Sequence, residues 1–531
     1  MSSSPRPEQL TNPADTGILS GANPVLAVAS TALVLLFLVF TGSNLELADR
    51  VYVGLQQNIA TYLAGYLVWT VTVLAGFAML LAISPFGRVK LGHDDEEPAF
   101  GRFSWFAMLF SAGVGTGLLF WGVAEPIMHF QSNPFIANAG IEGQSQMAAT
   151  VAMRITFFHW GLHGWAIYSM VGLCLGYFAF RKGLPLTVRS ALHPILGDRI
   201  YGPVGHAIDL LAIFSTVFGI ATSLGLGAAQ MNGGLKYLFG IEVSPVNQVI
   251  LIICVSAIAT LSAVSGIRRG IRRLSELNIW LSFVLVGFVL LAGPTSVILW
   301  TFFSGAGDYL LEFLPMGIWV DPDPSSKWQG AWTIFYWGWW ISWGPFVGIF
   351  MATISRGRTI REYLIATLLA PTFAGFFWLS VFGATALNIE LAGTGGLVEA
   401  VNADITAALF TALEFLNVEW ATWAIVLLSS VLVITWFVTS ADSGTLVICT
   451  MLCFGNTRPP QRFRVFWGMA VGLVASVLLL VGGLGTLQAA STTIAIPFSI
   501  VLLLMLFGLS KTLWQTEAPR LLRRDRKKAP N

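Results

Sequence analysis

Apolar stretches of about 20 residues recur between positions 23 and 510, and each is long enough to cross roughly 30 Å of hydrocarbon. Polar segments separate them. The pattern predicts twelve membrane-spanning helices, over 25–42, 62–84, 103–128, 147–181, 206–236, 246–265, 274–303, 328–354, 362–386, 419–452, 463–483 and 487–510. The expected class is therefore an all-α polytopic membrane protein. The first stretch follows a mildly acidic tail and has no small-residue cleavage site, so it reads as a retained helix and not a signal peptide. Two longer polar inserts, 305–327 and 386–420, carry helix-like apolar periodicity ("DYLLEFLPM", "ITAALFTALEFL") and are expected along the membrane surface.

Charge tests the count. With the N-terminus in the cytoplasm and the spans alternating, 25 of the 29 basic residues fall on the inner side. Outer loops receive Arg50, Lys236 and Lys327, and Arg154 lies within a span. One miscounted helix would invert every later loop and destroy this asymmetry, so both termini are expected inside. Composition agrees: 55% of residues are hydrophobic and 11% charged, against about a quarter charged in soluble domains. The net charge of +2 is dispersed over many loops and leaves no nucleic-acid footprint. The basic tail from Arg520 to Lys528 suits contact with anionic lipid. Cys174, Cys254, Cys449 and Cys453 form neither a disulfide framework nor a metal pattern. A membrane sensor would want a soluble output domain, and a channel would want continuous polar stripes; the chain has neither. No HExxH pair or nucleophile–base motif marks an intramembrane enzyme.

Chemistry concentrates in four spans. Span 3 carries "GVGTG", with Gly113, Gly115 and Gly117 inside an apolar run where glycine costs helical stability. Two readings stand: close helix packing through the Gly113/Gly117 pair, or a loosened segment whose bare carbonyls and N–H groups meet an ion and a carboxylate. Span 8, five helices later, holds "YWGWWISWGPFVG", interrupted by Gly338, Gly344 and Pro345. Two interrupted spans at corresponding places in two five-helix halves point to an inverted repeat with a midplane site. In span 8, Tyr336, Trp339, Trp340 and Trp343 share one helical face, and span 4 repeats the theme with Trp160, Trp165 and Tyr168. Midplane tryptophans do not fit the interfacial belt. They make either a packed aromatic core or a set of ring faces around a cation without hydrogen-bond donors, a quaternary ammonium. His159 and His163 stand four apart with no carboxylate or cysteine partner in view, which favours hydrogen bonding within the bundle over metal binding. In span 10, "FVTSADSG" sets Thr439, Ser440 and Asp442 in apolar surroundings; the hydroxyls either bond back to their own helix or help cage a monovalent cation.

The stretches "GVGTGLLFWGVAEP", "FHWGLHGWAIYS", "FGIATSLGLGAAQMNGG", "YWGWWISWGPFVGIFMATISRGRTIREY" and "FVTSADSG" together resemble the betaine/carnitine/choline transporter family over spans 3 to 10, in order. The resemblance implies a LeuT-like 5+5 inverted repeat in spans 3–12, with two extra N-terminal helices. The units would be a cytoplasmic tail (1–24), two peripheral helices (25–84), a first repeat (103–303), a second repeat (328–510) and a short basic tail (511–531). It further implies a homotrimer in a bacterial-type inner membrane, importing a small zwitterion of the glycine betaine type by sodium symport, with no organic cofactor. Sodium-independent exchange, or carriage of carnitine, choline, ectoine, taurine or a sulfonium osmolyte, is the family alternative.

By motif, Trp160, Trp165, Tyr168 and Trp340 would line the central site, with Trp339 and Trp343 beside it and Gly113, Gly115 and Gly117 under the substrate carboxylate. One sodium would lie between spans 3 and 10, on the backbone oxygens of Ser111 and Val114 and the hydroxyls of Thr439 and Ser440. A second sodium in such carriers uses span-5 threonines and the phenylalanine matching Phe346. Here Thr216 is present, but one turn later stands Ile220, with no side-chain oxygen. Choline carriers of the family tend to place an aspartate in the glycine stretch, where this chain has Gly117, which favours a zwitterion.

Overall fold

The computed structural model describes residues 14, 17–113, 115–264, 268–323, 326–392, 395–456 and 458–522. Among them the long elements are all helices, and strand-type pairing is limited to two isolated bridges. In chain order the longer helices are α1 (Pro24–Ser43), α2 (Leu45–Tyr62), α3 (Ala64–Ile83), α4 (Arg102–Gly113), α5 (Thr116–Gln131), α6 (Gln146–Trp160), α7 (Leu162–Gly176) and α8 (Pro203–Phe239). They continue as α9 (Pro245–Val264), α10 (Arg268–Ala292), α11 (Thr295–Leu311), α12 (Phe335–Ile354), α13 (Ile360–Leu379), α14 (Glu419–Leu452) and α15 (Gln461–Thr512). Large apolar side chains face outward, among them Leu36, Leu261 and Leu291, the last 84% exposed. Such a surface suits lipid and not water.

Nine described helical stretches are long and apolar enough to cross a membrane. The remaining expected spans differ for visible reasons. Span 3 is interrupted: α4 ends at Gly113, Gly115 is extended (φ −150°, ψ 178°), and α5 begins at Thr116. Span 8 is α12 with a π-helical turn, Gly330–Ile334, ahead of it; its indoles and phenol lower its hydropathy, yet Trp337, Trp339 and Trp340 are buried. Spans 11 and 12 run together in α15, whose 52 residues would reach about 78 Å if straight, over twice the hydrocarbon thickness. It breaks at Gly482 (φ −152°) and Gly483 (φ 64°, ψ −140°), the latter in the left-handed half of the map that glycine enters freely.

Two boundaries depart from the hydropathy reading. The expected span 274–303 stops at Ala292, because Pro294 offers no N–H to the ladder and disfavours helix in the residue before it; α11 then starts afresh at Thr295. The segment after α1 also folds, as α2, with Asn44 accepting from Leu47 N at 2.9 Å to cap it. In the insert 386–420, the short helices Leu397–Ala403 and Ala408–Glu414 bury Leu397, Val398 and Phe410 against the bundle.

Interiors of membrane bundles have no water to satisfy polar groups, so hydroxyls bond to carbonyls. Thr222 Oγ1 donates to Leu487 O at 2.9 Å, tying α8 to α15, and Ser342 Oγ donates to Ser491 O at 2.8 Å, tying α12 to α15. On the basic-loop side, "SRGRTIRE" is tied to its neighbours by hydrogen bonds. Thr359 and Glu362 close a reciprocal capping box on α13, and Arg361 Nε reaches Ala82 O at 2.7 Å, satisfying a carbonyl at the end of α3. Leu91 N and Ile360 N bond across to Arg358 O and Val89 O, each at 2.8 Å.

Candidate functional site

The interruption between α4 and α5 sits against a wall of rings. Trp160 closes α6, Trp165 and Tyr168 project from the first turns of α7, and Trp339 and Trp340 project from α12. The Trp340 ring lies 4.8 Å from Tyr168, 5.1 Å from Trp165 and 5.9 Å from Trp160, centre to centre. Trp339 stands edge-on to Trp160 at 6.1 Å and stacks on Phe335 at 5.6 Å. All five are buried. Trp340 Nε1 has no hydrogen-bond partner among the described residues, although it is out of contact with solvent.

Two glycines make room for this cluster. A Cβ on Gly117 would meet Trp339 at 2.6 Å and Trp160 at 2.9 Å, and one on Gly164 would meet Trp340 at 2.7 Å. Gly117 was singled out by its motif. Gly164 was not, since its role depends on where the α12 indole comes to rest. Trp343 belongs to a different neighbourhood: its Nε1 donates to Gly219 O on α8 at 2.7 Å, and its ring meets Phe346 at 5.0 Å.

The oxygen groups expected to cage cations are distributed as follows. Thr439 Oγ1 bonds back to Trp436 O at 2.9 Å and receives Asn278 Nδ2 at 3.4 Å. Ser440 is half-buried beside it. Val114 and the side chain of Ser111 lie outside the described residues, while the backbone of Ser111 is in the last turn of α4 and Gly113 ends that helix. Thr216 Oγ1 donates to Ala212 O at 2.9 Å, and Ile220 presses its side chain against the Cα face of Gly444 on α14. Asp442 pairs with Arg464 at 3.4 Å.

The sequence reading that His159 has no carboxylate partner needs correcting. Glu125 of α5, fully buried, approaches His159 Nδ1 with Oε1 at 2.7 Å. Its Oε2 accepts from Trp160 Nε1 at 2.9 Å and from Tyr336 Oη at 2.5 Å. His129, one turn after Glu125, places Nε2 3.5 Å from Oε1, and His159 Nε2 meets Thr333 Oγ1 at 3.1 Å. The expectation of hydrogen bonding within the bundle holds for both span-4 histidines; His163 goes elsewhere, its Nδ1 3.2 Å from Tyr309 Oη. Glu125, His129 and His159 each offer one ligand atom within 4.8 Å of the others, so they are the group among the described residues with the donor types to hold a transition metal. A carboxylate in the middle of "LLFWGVAEPIMHF" was itself a signal, since ionisable residues in spans are functional candidates by default.

A helical bundle with an apolar exterior, a broken helix and a buried ring cluster at the break fits a multi-pass membrane protein, and the family model and curated relatives make it a transporter and not an enzyme. The chain belongs to the BCCT family, the betaine/carnitine/choline family transporters, whose model matches residues 25–518. It is 42% identical over 504 residues to a probable glycine betaine transporter of Desulfitobacterium hafniense, covering 94% of this chain and 98% of that one. It is 43% identical over 490 residues to the glycine betaine transporter OpuD of Bacillus subtilis, covering 92% and 93%. An ectoine/hydroxyectoine transporter of Virgibacillus pantothenticus is 39% identical over 500 residues, covering 93% and 97%.

Proposed function

We propose that the chain imports a compatible solute with a quaternary-ammonium headgroup, of the glycine betaine type, across a bacterial-type inner membrane by sodium symport. The observation that carries this reading is the buried ring cluster of Trp160, Trp165, Tyr168 and Trp340 beside the helix break. Ring faces supply negative potential to an onium that cannot donate hydrogen bonds, at about 0.5–2 kcal/mol per ring in a dry site. The glycine stretch then meets the solute carboxylate with backbone N–H groups. The names of the two glycine betaine relatives support the same substrate class. Ectoine, which the Virgibacillus relative is named for, is the first competitor to test.

In this reading twelve crossings arise from the nine long helical stretches, the α4/α5 pair, the α12 run and the second half of α15 counted apart. Residues 103–510 form two inverted five-helix repeats that rock between outward and inward states, with both termini cytoplasmic and three copies assembling in the membrane. In this reading sodium binds between α4 and α14, with the hydroxyls of Thr439 and Ser440 among its ligands. Bracing those helices stabilises the substrate-ready state, which is how a co-ion couples to transport. The second sodium site is left unfilled, because Ile220 occupies the turn after Thr216 with apolar atoms and offers no side-chain oxygen.

Radiolabelled betaine uptake into proteoliposomes tests the proposal. An inward sodium gradient is expected to drive accumulation, and uptake indifferent to sodium would refute symport in favour of exchange. Thr439→Val is expected to raise the sodium concentration for half-maximal uptake roughly tenfold, the cost of one oxygen contact to a charge. An unchanged sodium dependence would remove Thr439 from the ion site.

A further inference from the structure

The ring cluster has a charged neighbour that its motif does not include. Glu125 is 0% exposed, and its two oxygens are surrounded by donors. The Trp160 indole can only donate, and it donates to Oε2 at 2.9 Å; Tyr336 Oη donates to the same oxygen. His159 Nδ1 sits 2.7 Å from Oε1 and its Nε2 3.1 Å from Thr333 Oγ1, and the imidazole tautomer decides which end donates. Two donors on Oε2 leave that oxygen an acceptor, the role both oxygens take in an ionised carboxylate. The ion-pair partners of Glu125 among the described residues are His129 and His159, and no lysine or arginine pairs with it. Ionised, Glu125 places a negative charge one indole away from the ring cluster, in surroundings of low dielectric, with no lysine or arginine beside it among the described residues.

Resting on the ring cluster as the onium site, we propose that Glu125 is the countercharge of the onium headgroup and acts through Trp160. The hydrogen bond from Trp160 Nε1 fixes the indole plane, so that one face turns to the solute. It also leans electron density into the ring, making that face more negative toward a cation. The solute's positive end in turn relieves the cost of burying the carboxylate. Glu125 is thus a positioning residue that sets the preference for an onium over an uncharged headgroup of the same shape, while the glycine stretch reads the other end.

The test compares betaine with 3,3-dimethylbutyrate, in which carbon replaces the quaternary nitrogen, as competitors against radiolabelled betaine on the purified full-length protein. Glu125→Gln is expected to weaken betaine about tenfold while changing the carbon isostere less than twofold, so the preference for the charged headgroup collapses. Glu125→Asp, which keeps the charge, is expected to restore most of that preference. Equal losses for both ligands, or unchanged betaine binding, would overturn the proposal. Should Glu125→Gln give no folded protein, Glu125→Asp is read by the same ratio, and a lost preference with the charge retained would also overturn it. Trp340→Leu separates the two levels. Betaine binding that survives Trp340→Leu removes the ring reading itself. Binding lost in Trp340→Leu but untouched in Glu125→Gln removes only the role of Glu125.

Discussion

Trp340→Leu is expected to abolish measurable betaine binding in a protein that still purifies as a folded species. Trp340 is the hub of the cluster, with Tyr168, Trp165 and Trp160 all within 5.9 Å of its ring centre. Leucine removes one ring face and leaves three others without the surface that holds them apart. At about 0.5–2 kcal/mol per ring, losing one face and misplacing two more weakens binding by a hundredfold or more. The same change opens a cavity in a buried site, so the thermal midpoint should fall as well. Helix α12 keeps its other anchors, namely Trp337 buried at its core and Ser342 bonded to Ser491 O on α15. Trp423→Leu is the control: that indole is 55% exposed on the outer surface and should leave binding unchanged. Isothermal calorimetry and a thermal ramp on both variants separate a lost site from a lost fold. Trp340→Leu that binds like wild type would show the rings to be packing alone.

What the sequence could and could not reveal follows from the range of the interactions involved. Helices fixed by continuous apolar stretches, such as α3, α8 and α14, were legible because hydrophobic length is a local property. The break in span 3 was half legible: Gly113-Val114-Gly115 signals weak helix locally, but the same glycines suit close helix packing. The end of α10 was also written in the chain, at Gly293-Pro294, but an apolar window averages over such a pair and carries the span too far. Ring partners were half legible. Spacing placed Trp339, Trp340 and Trp343 on one side of α12, yet only the packing of α8 shows that Trp343 turns to Gly219 O while Trp340 turns to α7.

Glu125 shows the opposite limit. It lies 34 positions from His159 and 211 from Tyr336, so no spacing rule connects them. Its place in an apolar span was nonetheless a cue, since an ionisable residue there is a functional candidate by default, as Asp442 is. The structure separates these two acids. Asp442 has a guanidinium partner in Arg464, whereas Glu125 is held by neutral donors at the edge of the ring cluster. The informative acid is the one without a lysine or arginine partner among the described residues, and that distinction requires three dimensions.

Gly117→Ala carries the second large effect, and it separates the two readings of the glycine stretch. The added methyl would stand 2.6 Å from Trp339 and 2.9 Å from Trp160, closer than carbon atoms allow. Neither indole is free to yield. Trp160 Nε1 is tied to Glu125, and Trp339 is tied to Ser223 Oγ at 3.2 Å and stacked on Phe335. Overpacking of this kind costs about 1–3 kcal/mol, and here it falls on the rings themselves. Alanine is also the better helix former by about 1 kcal/mol, which offsets part of that cost in global stability. The expected result is at least a tenfold loss of betaine uptake with a thermal midpoint close to wild type. A glycine kept only for helix-to-helix approach would show the reverse, a fallen midpoint with uptake retained in the molecules that remain folded. Gly115→Ala supplies the comparison, since no atom of the described residues lies within 4 Å of its added carbon and its extended backbone accepts any residue. If Gly115→Ala and Gly117→Ala impair uptake equally, the effect belongs to the broken helix as a whole; if only Gly117→Ala does so, it belongs to the rings.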